Sequence, residues 1–259
     1  MRRGFTLIEL AVVLTIIGLI IGGVIVGQDL IVAAQVNSVF SDFRKFQSAV
    51  NAFRDKYQYP PGDMPNATAF WGVLAGTGSD ATCQNTPATG TATCNGNGDG
   101  QVLTSVVSGD EVYRFWQHLA NAGLVEGQYI GTPATNAGYS TAIIHGVNFP
   151  PMKLGNMAVW EAVWWGYVNS STTDFGMNYG NILLATGAGS GPPLTVMQAY
   201  QVDRKFDDGL PGSGMIIARK QNPTTSPCTS AAGNMSDAGA TYNLAHTGPA
   251  CMLVFPKAF

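Results

Sequence analysis

Residues 5–26 read FTLIELAVVLTIIGLIIGGVIV, 22 positions of which only Glu9 is charged. As an α-helix this run measures roughly 33 Å at about 1.5 Å per residue, enough to cross the hydrocarbon core of a bilayer. A helix packed on a soluble core needs only one apolar stripe, so a run apolar on every side points to lipid or to the middle of a bundle. Arg2 and Arg3 precede it, which predicts a cytoplasmic amino terminus with the remainder of the chain on the outer side. Glu9 interrupts the pattern. A carboxylate in hydrocarbon costs about 3 kcal/mol on the insertion scale, so Glu9 either stays wet near the interface or seeks a cation from another chain. Gly18, Gly22, Gly23 and Gly27 add two small-xxx-small pairs, which let helices approach closely.

Working outward, the helical period continues past the apolar run. Ile31, Val32, Val36, Val39, Phe40, Phe43, Phe46, Val50 and Phe53 recur at three- and four-residue spacings with charges between them, an amphipathic stripe. No proline occurs before Pro60. The spacing predicts one helix from about Phe5 to Tyr57, 53 residues and roughly 80 Å long. Tyr59-Pro60-Pro61-Gly62-Asp63 ends it, because Pro61 disfavours a helical Pro60 and Gly62 frees the turn.

The segment Gly4-Phe5-Thr6-Leu7-Ile8-Glu9-Leu10, set behind a short basic leader, resembles the class III signal of type IV pilins and type II secretion pseudopilins. The resemblance implies cleavage by a prepilin peptidase between Gly4 and Phe5, and N-methylation of Phe5. It implies also that Glu9 pairs with the Phe5 amine of a neighbouring subunit, which neutralises two charges that neither chain neutralises alone. The implied partners are the peptidase, copies of the chain or other pilins and pseudopilins, the inner-membrane assembly machinery and membrane lipid. The implied location is the bacterial inner membrane, single-pass, and then a periplasmic or extracellular filament. Many major pilins have a proline near the end of the apolar run; Val24–Gly27 contain none. Phe53–Ala67 and the Asp207-Asp208-Gly209-Leu210-Pro211 stretch resemble prepilin-like proteins more loosely. The competing reading is an ordinary secretory signal ending at Val32-Ala33-Ala34; a mature chain beginning at Gln35 would establish it.

Charge and composition divide the chain further. Only 11% of residues are charged, and the net charge is −3 with a pI near 5.5, which argues against a broadly basic nucleic-acid binder. Residues 58–259 hold 19 charges in 202 positions, all 14 prolines, 27 of the 32 glycines and every Trp. The expected organisation is a leader at 1–4, a transmembrane or filament-core helix at 5–27, its amphipathic continuation at 28–57 and an extracytoplasmic head at 58–259. Within the head, 66–110 reads as an ordered insertion or loop, and 111–125 as an amphipathic helix. Ala158–Tyr167, Asn181–Thr186, Met215–Ala218 and Cys251–Phe255 read as strands, and Leu194–Phe206 as a helix. A dominant helix followed by an antiparallel sheet is an α+β class, here long-helix-plus-head.

Four cysteines on the outer side suggest disulfides. Of the three pairings, Cys83–Cys94 and Cys228–Cys251 each staple a local Gly/Thr/Pro-rich loop and are preferred; the alternative is free buried thiols. Two places resemble cation sites. Asn95, Asn97 and Asp99 alternate with glycines as in the first half of a calcium loop, but Val106 stands where the bidentate Glu belongs. Asp110 and Glu111 follow closely enough to fold back. Asp203, Asp207 and Asp208 form the densest acidic cluster of the head. A plain turn is the competing reading at both, so calcium is at most an accessory and no other cofactor is expected. Trp160 and Trp164 share one face of a strand and Trp165 takes the other, which puts one face in the core and leaves Trp165 for the surface. His118, His145 and His246 are scattered, and neither a G-x-S-x-G nor a phosphate-binding glycine loop occurs. The expectation is a mechanical protein, not an enzyme.

Overall fold

The computed structural model describes residues 6–74, 86–103, 111–133, 143–154, 158–169, 171, 173–187, 191–220, 227–230 and 239–259. Helix α1 runs Leu7–Tyr57 without a break, 51 residues, or roughly 77 Å. Thr6 caps its start. The Thr6 hydroxyl accepts from the Glu9 amide while the Glu9 carboxylate accepts from the Thr6 amide and hydroxyl, both at 2.8 Å. Gln58, left-handed at φ 66°, caps the other end.

The two halves of α1 live in different surroundings. Every side chain from Thr6 to Val26 is exposed, and a Cβ added at Gly18, Gly22, Gly23 or Gly27 would meet nothing within 4 Å. From Val36 onward the stripe of Val36, Val39, Phe43, Phe46, Val50, Phe53 and Tyr57 is buried. Val32 and Phe40 are partly covered, and Ile31 stays exposed. The head therefore begins to cover the helix about one turn later than the periodicity alone suggests.

The head combines α2 (Ala67–Trp71), α3 (Glu111–Asn121), β1 (Ala158–Val168), β2 (Met177–Gly187), β3 (Leu194–Thr195), α4 (Val196–Phe206), β4 (Ile217–Lys220) and β5 (Pro249–Phe255). The five strands form one antiparallel sheet in the order β1-β2-β5-β3, with β4 also on β5. This is the α+β long-helix-plus-head architecture expected from the sequence. Phe43 stacks on Phe255 at 4.4 Å, and Phe46 meets Trp116 at 4.9 Å and Trp160 at 5.7 Å. Phe40 stacks on Phe206 at 4.3 Å. One helix face thus packs on the sheet, α3 and α4 together. Aromatic pairs in such offset and edge geometry add about 1 kcal/mol each beyond burial.

The departures from expectation have local causes. Helix α3 stops at Asn121, not residue 125, since Gly123 at φ 71° turns the chain. Helix α4 starts at Val196, two residues late, because Thr195 serves as its N-cap in a capping box with Gln198; Leu194–Thr195 instead pair with β5. The strand expected at Met215–Ala218 lies at Ile217–Lys220, where the register with β5 places it. On β1, Trp160, Glu161, Ala162 and Val163 are all buried, so both strand faces are covered and not one.

Candidate functional site

Glu9 is the one acidic residue in an otherwise apolar surface. Its carboxylate is spent locally on the Thr6 amide and hydroxyl. That arrangement satisfies the group within a single chain while keeping it one turn from the amino end. Gly4 and Phe5, the expected processing residues, lie outside the described residues. An 18-residue window of α1 reaches a mean hydropathy of 2.8 with none of it buried.

The head clamps the far end of α1 through a buried polar hub. Pro60, Pro61, Gly62 and Asp63 are all buried. Gly62 sits at φ 85°, and a Cβ there would lie 2.4 Å from the Glu111 carbonyl oxygen, so only glycine fits. Its amide donates to His118 Nδ1 at 3.0 Å. The proton of that imidazole is therefore on Nε2, which donates to Thr93 Oγ1 at 3.0 Å, and Thr93 donates to Gln117 Oε1 at 2.8 Å. Burial, reinforced by the Arg114 charge, holds His118 down to about 3, so the ring stays neutral.

Around this hub the Asn95–Asp99 loop is organised by carboxylates. Asp63 accepts from the amides of Gly98 and Asp99 on one oxygen and of Gly100 on the other. Glu111 folds back onto the loop, as the sequence allowed, and accepts from the Asn97 and Leu103 amides. Asn97 and Asp99 meet each other at 3.1 Å and close turns on the amides of Asp99 and Gln101. Asn95 accepts from the Thr68 amide at the start of α2. The Asp63 side of the loop thus presents amide hydrogens, and the Asp63 carboxylate fills it. Burial pushes Asp63 up to about 6 and Glu111 up to about 8. Asp110 and Val106 lie outside the described residues.

The second acidic candidate does converge. One carboxylate oxygen from each of Asp203, Asp207 and Asp208 lies within 4.8 Å of the others. Asp203, wholly buried, accepts from Tyr242 Oη at 2.6 Å and the Gly209 amide at 3.0 Å. Asp207 accepts from the Ile216 amide, and Asp208 from the Leu210 amide and the Ser213 hydroxyl. Burial, with Asp208 and Asp207 adding repulsion, pushes Asp203 up to about 7. Three hard oxygen donors at this separation suit a divalent cation.

Cys228 and Cys251 form a disulfide with Cα atoms 5.0 Å apart. Cys94 is also disulfide-bonded; Cys83, its expected partner, lies outside the described residues. The sequence missed the roles of Asp63 and His118. The signal at Asp63 was its place beside the stop of α1, which marks a boundary without revealing what packs on it.

Residues 1–25 match the family model of the prokaryotic N-terminal methylation motif. No curated protein and no solved structure matches the chain. The motif, the exposed apolar half-helix and the head seated on the other half are consistent with membrane anchoring through a prepilin-type amino terminus. This match supports the resemblance of the amino terminus to the prepilin-type signal of type IV pilins and type II secretion pseudopilins.

Proposed function

We propose that the protein is a structural subunit of a type IV pilus-like or type II secretion pseudopilus filament. The supporting observation is an apolar helix half that touches nothing in its own molecule: Thr6–Val26 is exposed throughout. Water does not tolerate such a surface, so it is held first in the inner membrane and then among copies of itself. The amino end stays cytoplasmic before extraction and the head lies outside. At the foot of the head a groove of about 610 Å³ between α1 and α4, lined in part by Val32, Val36 and Met197, continues this apolar surface. During assembly Glu9 exchanges its Thr6 contacts for the methylated Phe5 amine of a neighbour. The work is mechanical, not catalytic.

Glu9→Ala is expected to leave cleavage and methylation intact, read by amino-terminal mass spectrometry, and to reduce filament yield at least tenfold, read by electron microscopy of sheared material. Normal filament yield in that variant overturns the role of Glu9. A second reading, a minor or tip subunit acting in adhesion or secretion, is favoured by the head, which spans 202 of the 259 residues. Copy number separates the two: a shaft subunit dominates sheared filaments, and a tip subunit is scarce in them.

Calcium is retained for the converging cluster alone. Asp203, Asp207 and Asp208 would hold the ion, which relieves their mutual repulsion. Millimolar calcium is expected to raise the thermal midpoint of the full chain, and Asp207→Asn to abolish the rise. An unchanged midpoint removes calcium from the reading.

A further inference from the structure

We propose that the head carries a saccharide-binding cleft at the hairpin end of β1 and β2, an inference that stands without the filament reading. Along β1 the side chains change from fully buried to half-buried at Trp164. Trp164, Trp165, Gly166, Val168, Asp174 and Arg219 line a cleft of about 410 Å³ there, within the size range of small-ligand sites.

Its parts are held in place from behind. The Trp164 indole lies back along the strand over Gly166, where a Cβ would come within 2.6 Å of the ring. Glycine at 166 therefore makes room for the ring. In the same cleft Trp165 packs edge-on against Tyr179 at 5.7 Å and carries the Arg219 guanidinium 4.7 Å from its ring centre. Arg219 Nε is paired with Asp174, which is fixed in turn by the Ser171 and Thr173 hydroxyls. Nη1 makes only a weak bond to Met252 Sδ at 3.8 Å, and Nη2 has no partner among the described residues.

The combination selects a ligand class. A wholly apolar ligand would cover the indole but leave guanidinium hydrogens unpaired, which is unfavourable. A bare anion would use the guanidinium hydrogens that Asp174 does not take and leave the indole idle. A pyranose has an apolar C–H face for the ring and an oxygen rim for the N–H groups. A ring bearing a carboxylate adds a charge-assisted bond, so hexuronate saccharides are the class this cleft favours.

The full-length chain in detergent micelles is titrated with a neutral hexose tetrasaccharide and with a hexuronate tetrasaccharide, followed by calorimetry and saturation-transfer NMR. Saturable binding of the hexuronate is expected, at least tenfold tighter than the neutral saccharide. Trp164→Ala is expected to weaken it at least tenfold. Gly166→Ala, which tilts the ring without removing it, is expected to weaken it severalfold while the thermal midpoint stays near that of the unaltered chain. Absence of saturation with either saccharide overturns the proposal. So does binding insensitive to both variants, or binding confined to acetate or to an apolar dye.

Discussion

Asp63, Glu111 and Asp203 are carboxylic acids buried where water cannot solvate their charge, and each is pushed up, to about 6, 8 and 7. In the folded state they hold protons that the unfolded chain releases near pH 4. Folding stability contributed by such groups falls as pH rises through that interval. His118 acts oppositely: held at about 3, it stays neutral where the unfolded ring charges, so it removes stability below about pH 6.5. Three acids outweigh one imidazole between these limits. The thermal midpoint is therefore expected to be higher at pH 5 than at pH 8. Asp203→Asn is expected to flatten the dependence, and a midpoint that rises from pH 5 to pH 8 contradicts the burial argument.

Helix α1 is one element with two solvents, and substitutions along it separate them. Phe53 is wholly buried, with ring contacts to Tyr57 and Trp71. Phe53→Ala leaves a cavity and is expected to destabilise the head by about 4 kcal/mol in denaturant titration. Leu14→Ala, at a position 61% exposed, is expected to leave the same titration unchanged while weakening membrane retention. At the sheet, the Cys228–Cys251 bridge ties β5 to the preceding loop across 23 residues. Replacing both cysteines by serine is expected to lower stability by about 3 kcal/mol.

The whole molecule is an exposed apolar half-helix joined to a head, and the join lies near Val32. None of the described residues before it belongs to the core, so removing residues 1–31 is expected to yield a water-soluble chain. Its thermal midpoint should match that of the full-length protein. Loss of cooperative melting in the truncated chain contradicts the division.

The long helix, its end at Tyr57, its apolar stripe and the class of the amino terminus were all legible in the sequence, because each depends on neighbours within a few residues. Uninterrupted apolarity, a 3.6-residue period and two prolines are local signals. What surrounds the helix end depends on residues distant along the chain and was not legible. Gly62 meets His118 across 56 positions, and Asp63 takes amides 35 to 37 positions away. The same holds for the acidic run at 203–208, visible as composition, whose convergence depends on Tyr242 and the Ile216 amide. Local periodicity determined the long apolar helix of this protein; only tertiary packing decided which polar groups the head buries, since burial is a property of the whole fold.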